Sequence, residues 1–214
     1  MYIPSTNAEH SPEVIFDFIE AHPLGILVTD SAEGLFATHL PLLLDRTRGA
    51  HGTLQGHVAR ANRQHAISAP ETEALVIFSG ADAYISPSFY PSKAEHGKVV
   101  PTWNYVAVHA YGRLQFNAGP DFLRRHVGRL TTHHEATRAT PWSVEDAPVD
   151  YIDQMLRAIV GVEIEITRLE GKWKMSQNRS AADIDGVVAG LGASDDERER
   201  DVADMVQLRR PSIT

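Results

Sequence analysis

The sequence predicts a mainly β protein, built on an antiparallel sheet closed or half-closed into a barrel, with helices at its periphery. Segments with strand character fill most of the first half of the chain, and the main helices come late. Strands and helices do not alternate regularly, as parallel βαβ units require. The longest strand segment ends in clean alternation, with Val108 and Ala110 on one face and His109 and Tyr111 on the other.

A helix is predicted before the strands, over 12–21. Ser11 suits its N-cap, Pro12 its first position and Pro23 a point just beyond its end. Alternating or apolar runs bounded by turn residues then predict strands at 24–30, 34–45, 52–59, 73–86, 101–117 and 161–175.

Three later helices are expected over 121–135, 148–158 and 180–192. The first two have apolar residues at helical spacing, and the third begins with the spacing of a capping box. No repeat or low-complexity linker divides the chain. We therefore expect one domain with inserted helices over 1–192, followed by a charged tail over 193–214.

Composition excludes several classes of protein. The 214 residues include no cysteine, which rules out disulfides, cysteine-ligated metal clusters and a thiol nucleophile. The formal net charge of −8 disfavours a protein whose main task is to bind the phosphate backbone of nucleic acids. No secretory signal and no membrane-spanning apolar run is visible, so a cytoplasmic protein is expected.

Familiar catalytic and nucleotide-binding motifs are missing from the sequence. It has no GxxxxGK[ST] loop, no GxGxxG after a strand, no HExxH and no GxSxG. No general acid or base is identifiable.

His126, His133 and His134 recur along one predicted helix without a carboxylate at ligand spacing, so we expect a polar helix surface there and no metal site.

Two polar stretches interrupt the apolar strands. In "ATHLP", Thr38 and His39 stand within a hydrophobic run, which fits either an edge strand with a satisfied histidine or a ligand site. In "GHVARAN", alternation points His57 to one side and Arg60 and Asn62 to the other. A cation beside an amide suits an anion, but a solvated strand end has the same composition. Both interpretations stay open.

Two further stretches are candidates for a ligand site. The segment "AYISPSFYPSKAEHGKVVPTWNY" collects aromatic residues around prolines, which fits a flat conjugated ligand or, equally, a dimer contact or a lid. The segment "KWKMSQNRS" places Gln177 and Arg179 just before a capped helix, where an anion binds well. A solvated loop explains that second pattern equally well.

Taken together, several long stretches resemble one family, the PaiB proteins or FMN-binding negative transcriptional regulators. The stretches are "MYIP", "FATHLPLLLD", "GHVARAN", "ALVIF…AYISPSFY", "GKVVPTWNYVAVHAYG", "LTTHHE", "DAPVDYIDQMLRAIVGVEIEI" and "LEGKWKMSQNR". The resemblance runs from Met1 to about Leu191. It implies a split β-barrel like that of pyridoxamine-phosphate oxidase, a homodimer, and FMN bound at the subunit interface.

The resemblance also implies roles for individual residues. Arg60 and Asn62 would suit the flavin phosphate, with His57 nearby, and Thr38 and His39 the ring edge or the ribityl chain. Gln177 and Arg179 would close the pocket. The candidates for its wall are Tyr84, Ser86, Trp103 and Asn104.

Three functions remain open for such a chain. The first is a flavin-binding protein with a redox or sensory role and, if it is an enzyme, an FMN-dependent oxidoreductase relying on the cofactor's own chemistry. The second is a transcriptional regulator acting by DNA or partner binding; the net charge and the lack of a helix-turn-helix pattern weigh against direct DNA contact. The third is a haem-binding split barrel, which the eleven histidines leave open.

Overall fold

The computed structural model describes residues 1–31, 33–68 and 73–211. This part of the chain contains eight β-strands: β1 Ala8–Glu9, β2 Leu24–Thr29, β3 Phe36–Pro41, β4 Leu43–Asp45, β5 Thr53–Ala59, β6 Glu73–Ile85, β7 Thr102–Asn117 and β8 Ile159–Lys174. Its seven α-helices are α1 Pro12–Ala21, α2 Gln64–Ile67, α3 Ser92–His96, α4 Pro120–Glu135, α5 Val149–Arg157, α6 Ala181–Gly192 and α7 Glu197–Leu208. The predicted mainly β fold with accompanying helices is confirmed.

Most predicted elements are present within a few residues of their expected bounds. Helix α1 is capped as predicted, because the Val14 N–H donates to the Ser11 hydroxyl at 3.4 Å. The strand expected at 34–45 is instead two strands, interrupted at Leu42. The Leu42 N–H donates to the Pro23 carbonyl at 2.8 Å, which continues the β2–β3 ladder by one residue before the chain passes to its ladder with β5.

The strands form one sheet in the order β3-β2-β6-β7-β8-β5-β4, and β1 pairs with β8. Every pairing whose register is defined is antiparallel, for example β2 with β3 and β5 with β8. The two ends of this order, β3 and β4, are neighbours along the chain and are separated by Leu42 alone. A sheet whose ends are joined in this way curls towards closure, as in a barrel.

The chain forms two compact units. The first, here called the barrel unit, comprises residues 16–78 and 109–169. In it β5 lies against the β3–β4 junction: a Cβ at Gly56 would lie 2.8 Å from Leu42 Cδ2 and 3.0 Å from the Pro41 carbonyl. Glycine therefore permits the close approach that brings β5 against the junction. The buried side chains of this unit include Leu27, Leu40, Leu42, Leu54, Val76, Phe78, Leu114, Val162, Ile164 and Ile166.

The second unit, here called the terminal unit, comprises residues 1–15, 79–108 and 170–214, of which 212–214 lie outside the described residues. Helices α6 and α7 pack together in it and bury Ile184, Val187, Val202 and Val206. The predicted cap of α6 is present, since the Asp183 N–H donates to the Ser180 hydroxyl at 3.2 Å.

Helix α7 lies in the segment expected to be a charged tail. Its apolar side is buried against α6, and Arg210 binds Asp185 of α6 at 2.5 Å. Arg209 pairs with Glu9 of β1, which ties the described end of the chain to its beginning. The domain boundary expected at residue 192 stays a prediction.

None of the helices in the described ranges is both long and apolar enough to cross a lipid bilayer.

Candidate functional site

The predicted residues Thr38 and His39 lie on β3, at one end of the strand order. Thr38 is half-buried and His39 is exposed. Within the described sheet, β3 forms a ladder with β2 alone, and β5 and α2 contact it from other sides. Pro41, which lacks an N–H, is tolerated on such an edge strand.

Asn62 lies in the turn after β5 and reaches Thr38. Its side-chain amide donates to the Thr38 hydroxyl at 2.9 Å, and its Oδ1 accepts the Gln64 N–H at 2.9 Å. Gln64 is fully buried and donates to the Thr29 hydroxyl of β2 at 3.0 Å. This chain of contacts fixes the turn against the strand that carries Thr38 and His39.

Arg60 is exposed but anchored. Its Nε donates to the Arg157 carbonyl at 2.7 Å and its Nη2 to the Ile159 carbonyl at 2.9 Å. These carbonyls lie at the end of α5 and the start of β8, so the guanidinium holds that junction. Among the described residues, no hydrogen bond is made by its Nη1, which leaves one amino group for an anion.

Among the described residues, neither Arg60 nor His57 makes a hydrogen bond to Thr38 or Asn62, and His57 contacts α4 instead. Its Nδ1 lies 3.1 Å from Nε2 of His126 on α4, and the His126 ring stacks on Phe122 at 6.0 Å between centroids. Burial lowers the pKa of His57, and burial together with the neighbouring His57 and Arg129 lowers the pKa of His126 to about 4. Both imidazoles are therefore neutral near pH 7, and one donates to the other.

His126 is a residue that the sequence analysis misplaced on a polar surface. It is 2% exposed, and its Nδ1 has no hydrogen-bond partner within the described part of the chain. Its position among Phe122 and Leu123 at helical spacing was the signal for burial.

In the terminal unit, Tyr84 and Trp103 form an exposed aromatic pair. Their rings meet edge to face at 6.0 Å between centroids. Trp103 also borders a cavity of about 390 Å³, whose other lining residues are Ser79, Gly80, Asp82, Tyr105, Val106 and Ala107. An exposed aromatic face next to a cavity suits a flat ring.

Asn104, by contrast, is fully buried behind Trp103. Its side-chain amide donates to the Ser176 hydroxyl at 3.0 Å. Ser176 has a φ of 62° and is the sole non-glycine residue with positive φ among those described. A strained residue held by a buried amide fixes the shape of the segment after β8.

The remaining predicted residues stabilise the loops of this unit. Ser86 accepts the Ser88 N–H at 3.2 Å. Gln177 accepts the Met175 N–H at 2.7 Å, and the Arg179 guanidinium lies 4.7 Å above the Tyr90 ring. These contacts position the loops, and they do not by themselves define a ligand.

Lys174 is a further polar residue of the terminal unit, beside Trp103. Its ammonium group donates to the Thr102 hydroxyl and to the Trp103 carbonyl. Burial first, and then the nearby charges of Lys172 and Arg179, lower the pKa of Lys174. It therefore fixes the backbone of Trp103 and adds positive potential beside the aromatic pair.

The donor set of each unit fits FMN. The amide of Asn62, the hydroxyl of Thr38 and the remaining amino group of Arg60 are hydrogen-bond donors of the kind that phosphate and a ribityl chain require. The Tyr84–Trp103 pair provides an apolar face for an isoalloxazine ring.

Comparison with known proteins supports this assignment. The family model described as "Putative FMN-binding domain" matches residues 1–168 of the chain. The match therefore covers well over half of the sequence, including every candidate residue except Gln177 and Arg179.

Two curated relatives extend over nearly the whole chain. An uncharacterized protein of Emericella nidulans is 33% identical over 244 residues, covering 98% of this chain and 97% of the relative. The protease synthase and sporulation protein PAI 2 of Bacillus subtilis is 30% identical over 207 residues, covering 97% of each.

Among solved structures, a conserved hypothetical protein of Mycobacterium tuberculosis matches with a TM-score of 0.57 at 14% identity. The match covers 84% of this chain and 94% of that protein. At this identity the likeness shows a common fold, and the family match supplies the cofactor. The chain therefore belongs to the PaiB family of FMN-binding split barrels, and FMN is its cofactor.

Proposed function

We propose that the chain binds FMN and uses it as a redox or sensory cofactor of a regulatory protein. The observation that carries this proposal is the contact between Thr38 and Asn62, which come from two separate polar stretches of the sequence and meet at 2.9 Å on the edge strand.

The barrel-unit group is assigned to the polar part of FMN. Asn62 and the remaining amino group of Arg60 would bind the phosphate, because amide and guanidinium N–H groups form charge-assisted hydrogen bonds to its oxygens. Thr38 and His39 of β3 would bind the ribityl chain or the ring edge. His57 is paired with His126 instead, and its expected place near the phosphate stays a prediction.

The terminal-unit group is assigned to the flavin ring. Tyr84 and Trp103 would form the wall, and Asn104, buried against Ser176, would fix the backbone that carries Trp103. Ser86, Gln177 and Arg179 order the adjoining loops. The resemblance places FMN at the interface of a homodimer, so both groups need not come from the same copy.

The chemistry of any reaction would come from the cofactor, since bound FMN supplies one- and two-electron transfer through its isoalloxazine ring. The chain's own residues would bind the phosphate, orient the ring and exclude water from one face.

A regulatory role is proposed from the relative in Bacillus subtilis, whose name refers to protease synthesis and sporulation. The formal net charge of −8 opposes direct binding to a phosphate backbone. We therefore propose that the chain acts through a protein partner or by changing a small-molecule signal.

The proposal is tested by titrating the purified protein with FMN and with riboflavin, which lacks the phosphate. FMN should bind at least tenfold more tightly, and the difference should shrink in Arg60→Ala. Equal affinities of the wild type for both flavins would contradict the assignment of the phosphate. A Soret band in the purified protein would favour the haem-binding alternative.

A further inference from the structure

A second cavity, of about 540 Å³, lies in the barrel unit and is lined by none of the residues assigned to FMN. Its walls come from the end of α1, the β3–β4 junction and α4. The lining residues are Glu20, Pro23, Leu42, Leu43, Leu44, Gly128, Arg129, Thr132 and His133. The volume falls within the range of pockets that hold small organic ligands.

The floor of this cavity is apolar and firmly held. Leu42 is 1% exposed and Leu43 is 8% exposed. The hydrogen bond from the Leu42 N–H to the Pro23 carbonyl, at 2.8 Å, fixes the floor to the residue that precedes β2. A rigid apolar floor favours the hydrocarbon part of a ligand.

Gly128 keeps one wall of the cavity open. It lies within the 16-residue helix α4, where glycine is less stable than alanine by roughly 1 kcal/mol. A Cβ at this position would meet no other atom within 4 Å. Packing therefore does not require glycine here, and a larger side chain at this lining position has open space around it.

The cation of the cavity rim, Arg129, keeps hydrogen-bond donors that no partner uses among the described residues. Arg129 uses Nη1 to bind Gln55 Oε1 at 2.8 Å and lies 3.7 Å from the Asp45 carboxylate. No other hydrogen bond or ion pair of this guanidinium occurs within the described residues. The acidic lining residue Glu20 is already paired, since Arg46 donates to its two oxygens, each at 2.8 Å.

We propose that this cavity binds a small amphipathic carboxylate. Its hydrocarbon part would lie on Leu42–Leu44 beside Gly128, and its carboxylate would accept hydrogen bonds from the free edge of Arg129. His133 and Thr132 on the next turn of α4 offer further polar contacts to the same group. None of the residues assigned to FMN lines this cavity.

The test uses three probes with the same hydrocarbon chain and different head groups: hexanoate, hexanamide and hexylamine. Binding to the FMN-loaded protein is measured by calorimetry. Hexanoate should bind at least fivefold more tightly than hexanamide, and hexylamine should not bind. Equal binding of hexanoate and hexanamide would overturn the role of the carboxylate, and release of FMN by hexanoate would overturn the location of the site.

Two variants locate the site. Gly128→Leu should weaken hexanoate binding at least tenfold while the protein remains folded and retains FMN, because the new side chain fills the cavity. Gly192→Leu is the matched control, since its Cβ also meets nothing within 4 Å, but on α6. Arg129→Gln should remove the preference for hexanoate over hexanamide. Unchanged hexanoate binding by Gly128→Leu would overturn the proposal.

Discussion

The side-chain amide of Asn62 donates to the hydroxyl of Thr38 at 2.9 Å, so the turn after β5 is held against β3. This contact joins two polar stretches for which the sequence left a structural and a ligand-binding interpretation open. The chemistry proposed for the barrel unit depends on it, because it brings an amide and a hydroxyl together beside the neighbouring His39.

Replacing Asn62 with alanine should weaken FMN binding about tenfold, or roughly 1.4 kcal/mol, through loss of one hydrogen bond to a polar or charged group. A fluorescence titration of FMN measures the change. Gln207→Ala, which removes an exposed amide from α7, is the control and should bind FMN as the wild type does. Wild-type affinity in Asn62→Ala would remove this residue from the site.

Arg60→Ala should have two effects. FMN binding should weaken by roughly 1.5–3 kcal/mol if the remaining amino group binds the phosphate. The free energy of unfolding should fall by about 1–2 kcal/mol, because the carbonyls of Arg157 and Ile159 lose their donor. Titration and urea unfolding separate the two effects, and Arg138→Ala, on an exposed turn, is the control. A loss of stability with full FMN affinity would leave Arg60 with a structural role alone.

The His57–His126 pair should make the protein sensitive to acid. The pKa of His126 is lowered to about 4 in the folded state from an ordinary value near 6.5, so the unfolded chain takes up its proton first as the pH falls. Stability contributed by the neutral imidazole is complete above pH 6.5. It should be lost progressively between pH 6.5 and pH 4, reaching about 3 kcal/mol.

Urea unfolding of the wild type and of His126→Gln at several pH values checks this expectation. Glutamine keeps a hydrogen bond to His57 but cannot be protonated, so the decline in stability should be shallower in the variant. An identical decline in both proteins would show that other groups control the acid sensitivity.

Ser176→Ala should lower the free energy of unfolding by roughly 1–3 kcal/mol, since it leaves the buried amide of Asn104 without its hydroxyl partner. Ser176→Gly should lower the free energy of unfolding by less than Ser176→Ala does, because glycine accepts the φ of 62° without strain. Thermal unfolding of the two variants gives the order of their stabilities. Greater stability of Ser176→Ala than of Ser176→Gly would contradict the role of the strained backbone.

The sequence predicted the bounds of α1 and the long strands β6, β7 and β8 closely, because their periodicity and end signals lie in adjacent residues. It did not predict the interruption at Leu42, since the chain changes its pairing partner there from β2 to β5, and no local pattern shows which strands pair. Helix α7 was missed because its charges dominate the composition, although Val202 and Val206 have helical spacing.

In the candidate site, too, local patterns predicted the residues but not their contacts with distant segments. Residue types and motifs identified Thr38, Asn62 and Trp103 as candidates, but their partners come from other elements of the fold. The anchoring of Arg60 to carbonyls, and the pairing of His57 with a buried histidine, follow from contacts between segments about 70 to 100 residues apart. No local pattern encodes such contacts.

The most direct test of the account is the absorption spectrum of the purified protein after FMN has been added and the excess removed. We expect a retained flavin spectrum, at close to one FMN per chain, which is lost in the double variant Arg60→Ala, Asn62→Ala. A colourless wild-type protein at this step would contradict it and would make partner binding without a cofactor the better explanation.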